Sequence, residues 1–177
     1  MEVILIRHTS VDVPPGTCYG QTDVPLKDTF KEEASATLAH LQEMGPIEQA
    51  FTSPLTRAVR LAEFCGYPDA VRDKRLMEIN FGKWEMKSFG SIMDQRLEEW
   101  YKDYLKVRAT EGESFLDQVE RVRSFLEDLK KESYERVAVF AHGGILISAQ
   151  VITGKISLDE GIFSHVTPFG GIVSVTI

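Results

Sequence analysis

The sequence predicts an α/β fold in three layers, with helices on both faces of a mostly parallel central sheet. Three observations carry that prediction. Strand-like runs and helix-like periodicities alternate along the chain. Two of the runs, residues 2–7 and 136–141, hold unbroken apolar stretches at 3–6 and 137–141, the pattern of buried strands. No internal repeat, low-complexity tract or linker interrupts the alternation, so residues 1–177 read as one domain.

The elements follow in order. Residues 2–7 are β-rich. Thr29 followed by Glu32 makes a capping-box pattern, and Phe30, Ala34, Leu38 and Leu41 then recur at helical spacing. Gly45-Pro46 stops that helix. Residues 47–52 are the second strand. Ser53-Pro54 reads as an N-cap followed by proline at the first helical position, predicting a helix over 54–65. Cys65-Gly66-Tyr67-Pro68 ends it, before a short strand near 69–73. Residues 74–112 carry Trp84, Phe89, Trp100, Tyr101 and Tyr104 among many charges, without a strong strand. They read as an excursion over the active site, partly helical from 88 to 105, because ligands in open sheets bind beyond the strands' carboxyl ends. Ser114 caps a helix whose apolar positions are Phe115, Val119, Val122, Phe125, Leu126 and Leu129. The strand at 136–141 turns through His142-Gly143-Gly144 into a helix over 144–152, and a last strand spans 171–177.

Composition narrows the function. The chain is 43% hydrophobic and 27% charged, as in ordinary globular proteins. No apolar run reaches the ~18 residues of a membrane span, and no leader pattern opens the sequence, so a cytoplasmic location is expected. Twenty basic and 27 acidic side chains give a net charge of −7. That argues against a general nucleic-acid binder while leaving room for a local cationic pocket. Cys18 and Cys65 form no metal-type or redox-type pair and read as reduced thiols. The sequence is silent on oligomeric state.

Two strands end in the same chemistry. Residues 3–9 run Val-Ile-Leu-Ile-Arg7-His8-Thr9, and residues 139–144 run Val-Phe-Ala-His142-Gly143-Gly144. A guanidinium is a forked anion binder, and a neutral imidazole is a nucleophile or proton carrier. If the two strands are neighbours, both histidines enter one crevice. Gly143 and Gly144 allow a close backbone approach, and the following helix offers N–H groups to the same anion. Arg57 follows a third strand within Ser53-Pro54-Leu55-Thr56-Arg57. Two arginines and two histidines suit a tetrahedral dianion. Glu78 lies among Leu76, Met77, Ile79 and Phe81, a setting in which burial favours a proton-donating acid. His40, His165, Arg60, Arg72, Arg75, Glu98 and Glu99 read as ordinary structural or solvated residues.

At these residues the chain resembles the histidine phosphatases, the superfamily that includes phosphoglycerate mutases. Arg7-His8-Thr9 stands at the Arg-His-Gly signature, with Thr9 for glycine. Thr52-Ser53-Pro54-Leu55-Thr56-Arg57-Ala58 resembles the second signature. Leu76 to Glu85 resembles the acid-bearing segment, Gly112-Glu113-Ser114 with Arg121-Val122 the start of the next helix, and Ala141-His142-Gly143-Gly144 the second-histidine motif. The resemblance implies a phosphomonoesterase. His8 would accept the phosphoryl group, and Arg7, Arg57, His142 and Gly143 would hold its oxygens. Glu78 would protonate the leaving oxygen, with Glu85 and Glu113 as alternatives. No metal or cofactor is implied, and the partner is a small phosphomonoester. Two departures stand out. Met86 replaces the glycine that often follows Trp-Glu, and Ile79 replaces the arginine with which mutases grip a carboxylate beside the acid. The second favours a phosphatase over a mutase.

Residues 12–26, with Pro168-Phe169-Gly170-Gly171, are similar to the α-ribazole phosphatase branch of cobalamin nucleotide-loop assembly. That likeness implies substrate contacts from Tyr19, Gly20, Gln21 and Thr22. Other histidine phosphatases hydrolyse other small phosphomonoesters, so a broad phosphatase, a mutase, a phosphohistidine-protein phosphatase and an inactive phosphate-ligand binder are the alternatives. The sequence holds no Cys-x5-Arg, no Asp-x-Asp nucleophile pair, no Walker loop and no His-Glu-x-x-His.

Overall fold

The computed structural model describes residues 1–158 and 161–177. Five strands form one sheet: β1 (Glu2–Arg7), β2 (Gln49–Thr52), β3 (Val71–Arg72), β4 (Arg136–Ala141) and β5 (Ile172–Thr176). Their order is β3-β2-β4-β1-β5. β1, β2, β3 and β4 run parallel, and β5 pairs antiparallel with β1 at the edge. Five α-helices accompany them among the described residues: α1 (Phe30–Glu43), α2 (Thr56–Phe64), α3 (Arg96–Lys102), α4 (Phe115–Leu129) and α5 (Gly143–Ile152). The predicted three-layer α/β class is what forms.

The unbroken apolar strands follow from the layering. Successive side chains of a strand point to opposite faces. Val3 and Leu5 of β1, with Val137 and Val139 of β4, pack against Val122, Phe125 and Leu126 of α4 and Ile145 and Leu146 of α5. Ile4 and Ile6, with Ala138 and Phe140, pack on the other face against Ala34 and Leu41 of α1 and Leu61 and Ala62 of α2. Each face is covered, so a polar residue at positions 3–6 or 137–141 would lose its hydration.

The helix starts test the capping expectations. Ser114 behaves as predicted, accepting from the Asp117 N–H at 3.2 Å while the Asp117 carboxylate accepts from the Ser114 N–H at 2.9 Å. The Thr29–Glu32 box does not form. Thr29 is already helical, and its hydroxyl donates instead to Glu33 Oε1 at 2.6 Å. Glu33 also accepts from the Ser10 N–H at 2.8 Å, tying α1 to the loop after β1. Ser53 does not cap α2, which begins two residues later, after an extended Leu55; its Oγ accepts from the Leu55 N–H at 3.3 Å and also pairs with His142.

The excursion over 74–112 is less helical than expected. The region 88–105 holds a short 3-10 turn at Phe89–Ser91 and then α3. Asp94 sets the start of α3, because its carboxylate is shared among Trp84 Nε1, the Thr110 hydroxyl and the Arg96 N–H. The excursion keeps its own apolar cluster of Trp84, Ile92, Leu97, Trp100 and Ala109, joined by Cys18. Cys18 and Cys65 are buried free thiols. Arg75, expected to be merely solvated, bridges Asp73 and Asp128 at 2.7 and 2.6 Å. Among the described residues, no helix is long and apolar enough to cross a membrane.

Candidate active site

β1 and β4 are neighbours, with Arg7 opposite Ala141. Arg7-His8 and His142-Gly143 therefore leave the sheet at one point, and the His8 and His142 rings stand 5.2 Å apart. Both histidines are buried. His8 Nδ1 lies 2.7 Å from the Thr9 carbonyl oxygen. A carbonyl only accepts, so Nδ1 carries the proton and Nε2 keeps its lone pair. Burial, with the Arg57 charge and then that of Arg7, lowers the His8 pKa to about 3 against the Thr9 hydrogen bond. The ring is held neutral, the state a nucleophile needs. His142 is likewise pushed well below the ordinary imidazole value by burial and by Arg57. Its Nε2 pairs with the Ser53 hydroxyl at 2.8 Å. Thr9, which replaces the signature glycine, is fully buried and gives His8 its carbonyl partner without further strain.

The cations come from two other elements. Arg57, in the first turn of α2, is completely buried. Its Nη1 donates to the Thr22 carbonyl at 2.9 Å and its Nη2 to the Gly20 carbonyl. Arg7 donates from Nη1 to the Thr167 carbonyl at 2.6 Å, and its guanidinium lies 3.9 Å from the Phe169 ring centroid. That stacking has the geometry of a cation–π contact. Burial lowers both arginine pKa values, with Glu78 and Tyr19 acting in opposition. Arg7 Nε, Arg57 Nε and His142 Nδ1 are buried without a hydrogen-bond partner among the described residues. Buried polar atoms left this way are costly unless a ligand meets them. Two of the three are guanidinium N–H donors, the chemistry that suits an anion. No group of three or more His, Cys, Asp and Glu side chains among the described residues is arranged to hold a metal ion.

The three candidate carboxylates occupy different settings. Glu113 is bonded to Arg121 by two contacts of 2.9 and 3.0 Å and accepts from the Asn80 N–H. Glu85 accepts from the N–H groups of Gly20, Gln21, Thr22 and Phe81 and from the Thr22 hydroxyl. Only Glu78 lines the cavity beside Arg7. Its Oε1 accepts from the Ile79 N–H at 2.9 Å and from Gln118 Nε2 at 2.7 Å, and its Oε2 accepts from the Gly144 N–H at 3.0 Å. Arg121 braces the chain behind it, donating to the carbonyls of Arg75, Met77 and Glu78. Gly144 is required here in a way the sequence reading did not foresee. A Cβ at that position would overlap Glu78 Oε1 and Gln118 Oε1, and its N–H serves Glu78 rather than an anion.

The cavity, of about 180 Å³, is walled by Tyr19, Phe81, Trp100, Tyr104, Phe115, Phe163 and aliphatic neighbours, with Arg7 and Glu78 the only charged lining residues among those described. Phe81, Trp100, Tyr104 and Phe163 continue outward into a shallow trough that adds Phe89 and Tyr101. Of the four residues expected to touch substrate, Tyr19 lines this cavity. Gly20, Gln21 and Thr22 instead form a brace between Arg57, Glu78 and Glu85, because their polar groups are spent there. The sequence reading missed Gln118, Phe163 and the pairing of Ser53 with His142. Gln118 had a readable signal: a polar residue at a core-facing position of α4, one residue before Val119.

The comparisons agree with this geometry. The family model for the histidine phosphatase superfamily (branch 1) matches residues 3–161. A Hydrogenobacter thermophilus protein named "Putative phosphoserine phosphatase 2" is 32% identical over 164 residues, covering 88% of this chain and 80% of that protein. The crystal structure of a phosphoglycerate mutase from Thermus thermophilus superposes with a TM-score of 0.77 at 28% identity, covering 99% of this chain and 92% of the other. A structure from Escherichia coli K-12 described as "a putative alpha-ribazole-5'-P phosphatase" gives a TM-score of 0.85 at 24% identity, over 98% and 89% of the two chains, a likeness of fold. Strand ends, cations and matching sequence coincide along nearly the whole chain, and this protein belongs to the histidine phosphatase superfamily, branch 1.

Proposed function

We propose that the protein hydrolyses small phosphomonoesters through a phosphohistidine on His8, without a metal. The observation that carries this is the neutral His8 ring, its Nε2 lone pair unprotonated, beside half-buried Arg7 and buried Arg57. Nε2 attacks phosphorus while Arg7, Arg57, His142 and the Gly143 backbone take up the charge on the phosphoryl oxygens. Glu78 protonates the departing oxygen and recovers that proton from water in the second step. Such proton transfer contributes roughly 10²–10⁴ in rate.

The substrate we assign is α-ribazole 5'-phosphate. The similarity of residues 12–26 and 168–171 to that branch supports it. So does the wall chemistry, because the cavity and its trough offer aromatic surface for a planar apolar aglycone. A phosphoglycerate or phosphoserine carboxylate would find no cation among the described lining residues besides Arg7, which the phosphate would occupy. That difference favours a phosphatase with an apolar leaving group over a mutase.

The test is turnover of p-nitrophenyl phosphate with EDTA present, for wild type and His8→Ala, followed by kcat/KM for α-ribazole 5'-phosphate, 3-phosphoglycerate and phosphoserine. Wild-type turnover in EDTA, abolished in His8→Ala, is expected, with α-ribazole 5'-phosphate preferred at least tenfold. Turnover that survives His8→Ala defeats the phosphohistidine. Preference for a carboxylated substrate defeats the aglycone assignment.

A further inference from the structure

Gln118 is fully buried on α4, lines the cavity and has an amide divided between two tasks. Nε2 donates to Glu78 Oε1 at 2.7 Å, which fixes the amide orientation, since the reverse would set two oxygens against each other. Oε1 is then a buried acceptor without a partner among the described residues. It lies 2.7 Å from the point a Gly144 Cβ would occupy, and Glu78 Oε1 lies against that same point. Glycine at 144 lets both side chains close against the backbone, where any Cβ would collide with them. An unpartnered acceptor beside the acid, in a cavity wall otherwise nearly all apolar, calls for an O–H donor.

We propose that Gln118 positions the water that cleaves the phosphohistidine, with its Oε1 accepting one water O–H while Glu78 accepts the other proton. The inference rests on the phosphohistidine reading above. In the first half-reaction the protonated Glu78 gives its proton to the leaving oxygen, and the P–O bond breaks as the P–Nε2 bond forms. In the second, the water oxygen bonds to phosphorus and the P–Nε2 bond breaks, its electron pair returning to Nε2. One water proton passes to Glu78 and the other stays on the released phosphate, so Glu78 ends as it began. Only the second step needs Gln118 Oε1, because only there does a water occupy the place the leaving oxygen vacated. A site that holds water in this way favours hydrolysis over return of the phosphoryl group to an alcohol.

The experiment compares wild type with Gln118→Met, which keeps the side-chain length and loses both polar atoms. The substrate is p-nitrophenyl phosphate, whose leaving group departs without protonation. The expected result is a stoichiometric burst of nitrophenol at nearly the wild-type rate, then a steady state about tenfold slower, the loss for one hydrogen bond to a reacting group. Acid-labile, base-stable phosphoenzyme accumulates in parallel. Gln118→Asn, which stays polar but draws the amide back by one methylene, is expected to separate the two phases in the same way if the methionine variant does not fold. Equal slowing of burst and steady state, or no change in their ratio, overturns the role of Gln118. Absence of any phosphoenzyme in wild type and variants, with turnover intact, overturns the phosphohistidine reading itself.

Discussion

Replacing Glu85 by glutamine tests whether the phosphate site is held from behind. Glu85 does not itself line the cavity, yet five donors converge on it, three of them the consecutive N–H groups of Gly20, Gln21 and Thr22 at 3.0, 3.0 and 3.2 Å. The Gly20 and Thr22 carbonyls in turn hold Arg57. Oε1 serves Gln21 and Phe81, whereas Oε2 serves Gly20, Thr22 and the Thr22 hydroxyl. Glutamine keeps the shape but turns one oxygen into a donor. Whichever way the amide settles, at least two N–H groups lose their acceptor. Each costs about 1–3 kcal/mol when half-buried, partly offset because glutamine is easier to desolvate, so about 3 kcal/mol is expected in total. For a chain of 177 residues that lowers Tm by roughly 6–12 °C. Calorimetry gives the melting temperature, and inorganic-phosphate inhibition reports the loosening of Arg57. Phosphate affinity should fall about tenfold with kcat reduced less. A variant that melts within ~2 °C of wild type and binds phosphate equally well would refute the brace.

Two further outcomes follow. Met86 stands at φ +63°, left-handed backbone that costs a residue with a Cβ about 1 kcal/mol, so Met86→Gly should match or exceed wild-type stability by up to ~1 kcal/mol in urea unfolding. A destabilised glycine variant would show that the half-exposed side chain, not the backbone, decides this position. His8 has its folded pKa lowered to about 3 from 6.5, so between those values the unfolded chain binds the extra proton. The stabilisation is complete above pH 6.5 and is lost as pH falls towards 3. Unfolding free energy measured from pH 7 to pH 4 should therefore drop more steeply for wild type than for His8→Asn, and identical slopes would contradict the neutral buried ring.

Much of the sheet was legible because β1 and β4 are buried on both faces, and an unbroken apolar run has few other readings. Strand ends were legible for the same reason: Arg7, His8 and His142 interrupt the apolar pattern where a buried strand must emerge. The helix starts were read less well. Thr29, Ser53 and Ser114 all carry cap chemistry, but a hydroxyl serves whichever partner the fold supplies. Ser114 meets Asp117 nearby, whereas Ser53 divides its oxygen between the Leu55 N–H and His142, 89 positions away. Local spacing holds no record of that competition. The same holds for residues 20–22, whose polar groups suggest ligand contact until Glu85 and Arg57 are seen to take them.

How a chain of net charge −7 keeps a dianion site is settled by where its acids are spent. Repulsion of phosphate requires an unpaired carboxylate near the site, and burial would sharpen it. Glu113 is neutralised by Arg121, and the Glu85 carboxyl is held below the usual range: burial works against this, but hydrogen bonds from Thr22, Gly20, Gln21 and Phe81 prevail. Glu78 alone faces Arg7 across the cavity. In the proposed mechanism this one acid opposes phosphate whenever it is ionised and supplies the leaving oxygen's proton when it is protonated. Removing its charge should therefore separate the two effects. Glu78→Gln is expected to bind inorganic phosphate more tightly while hydrolysing poor leaving groups at least ~10²-fold more slowly. Phosphate inhibition measured beside the leaving-group dependence of kcat reads both at once. Weaker phosphate binding with equal losses across leaving groups would mark Glu78 as a support for Gly144 and Gln118, not as the acid.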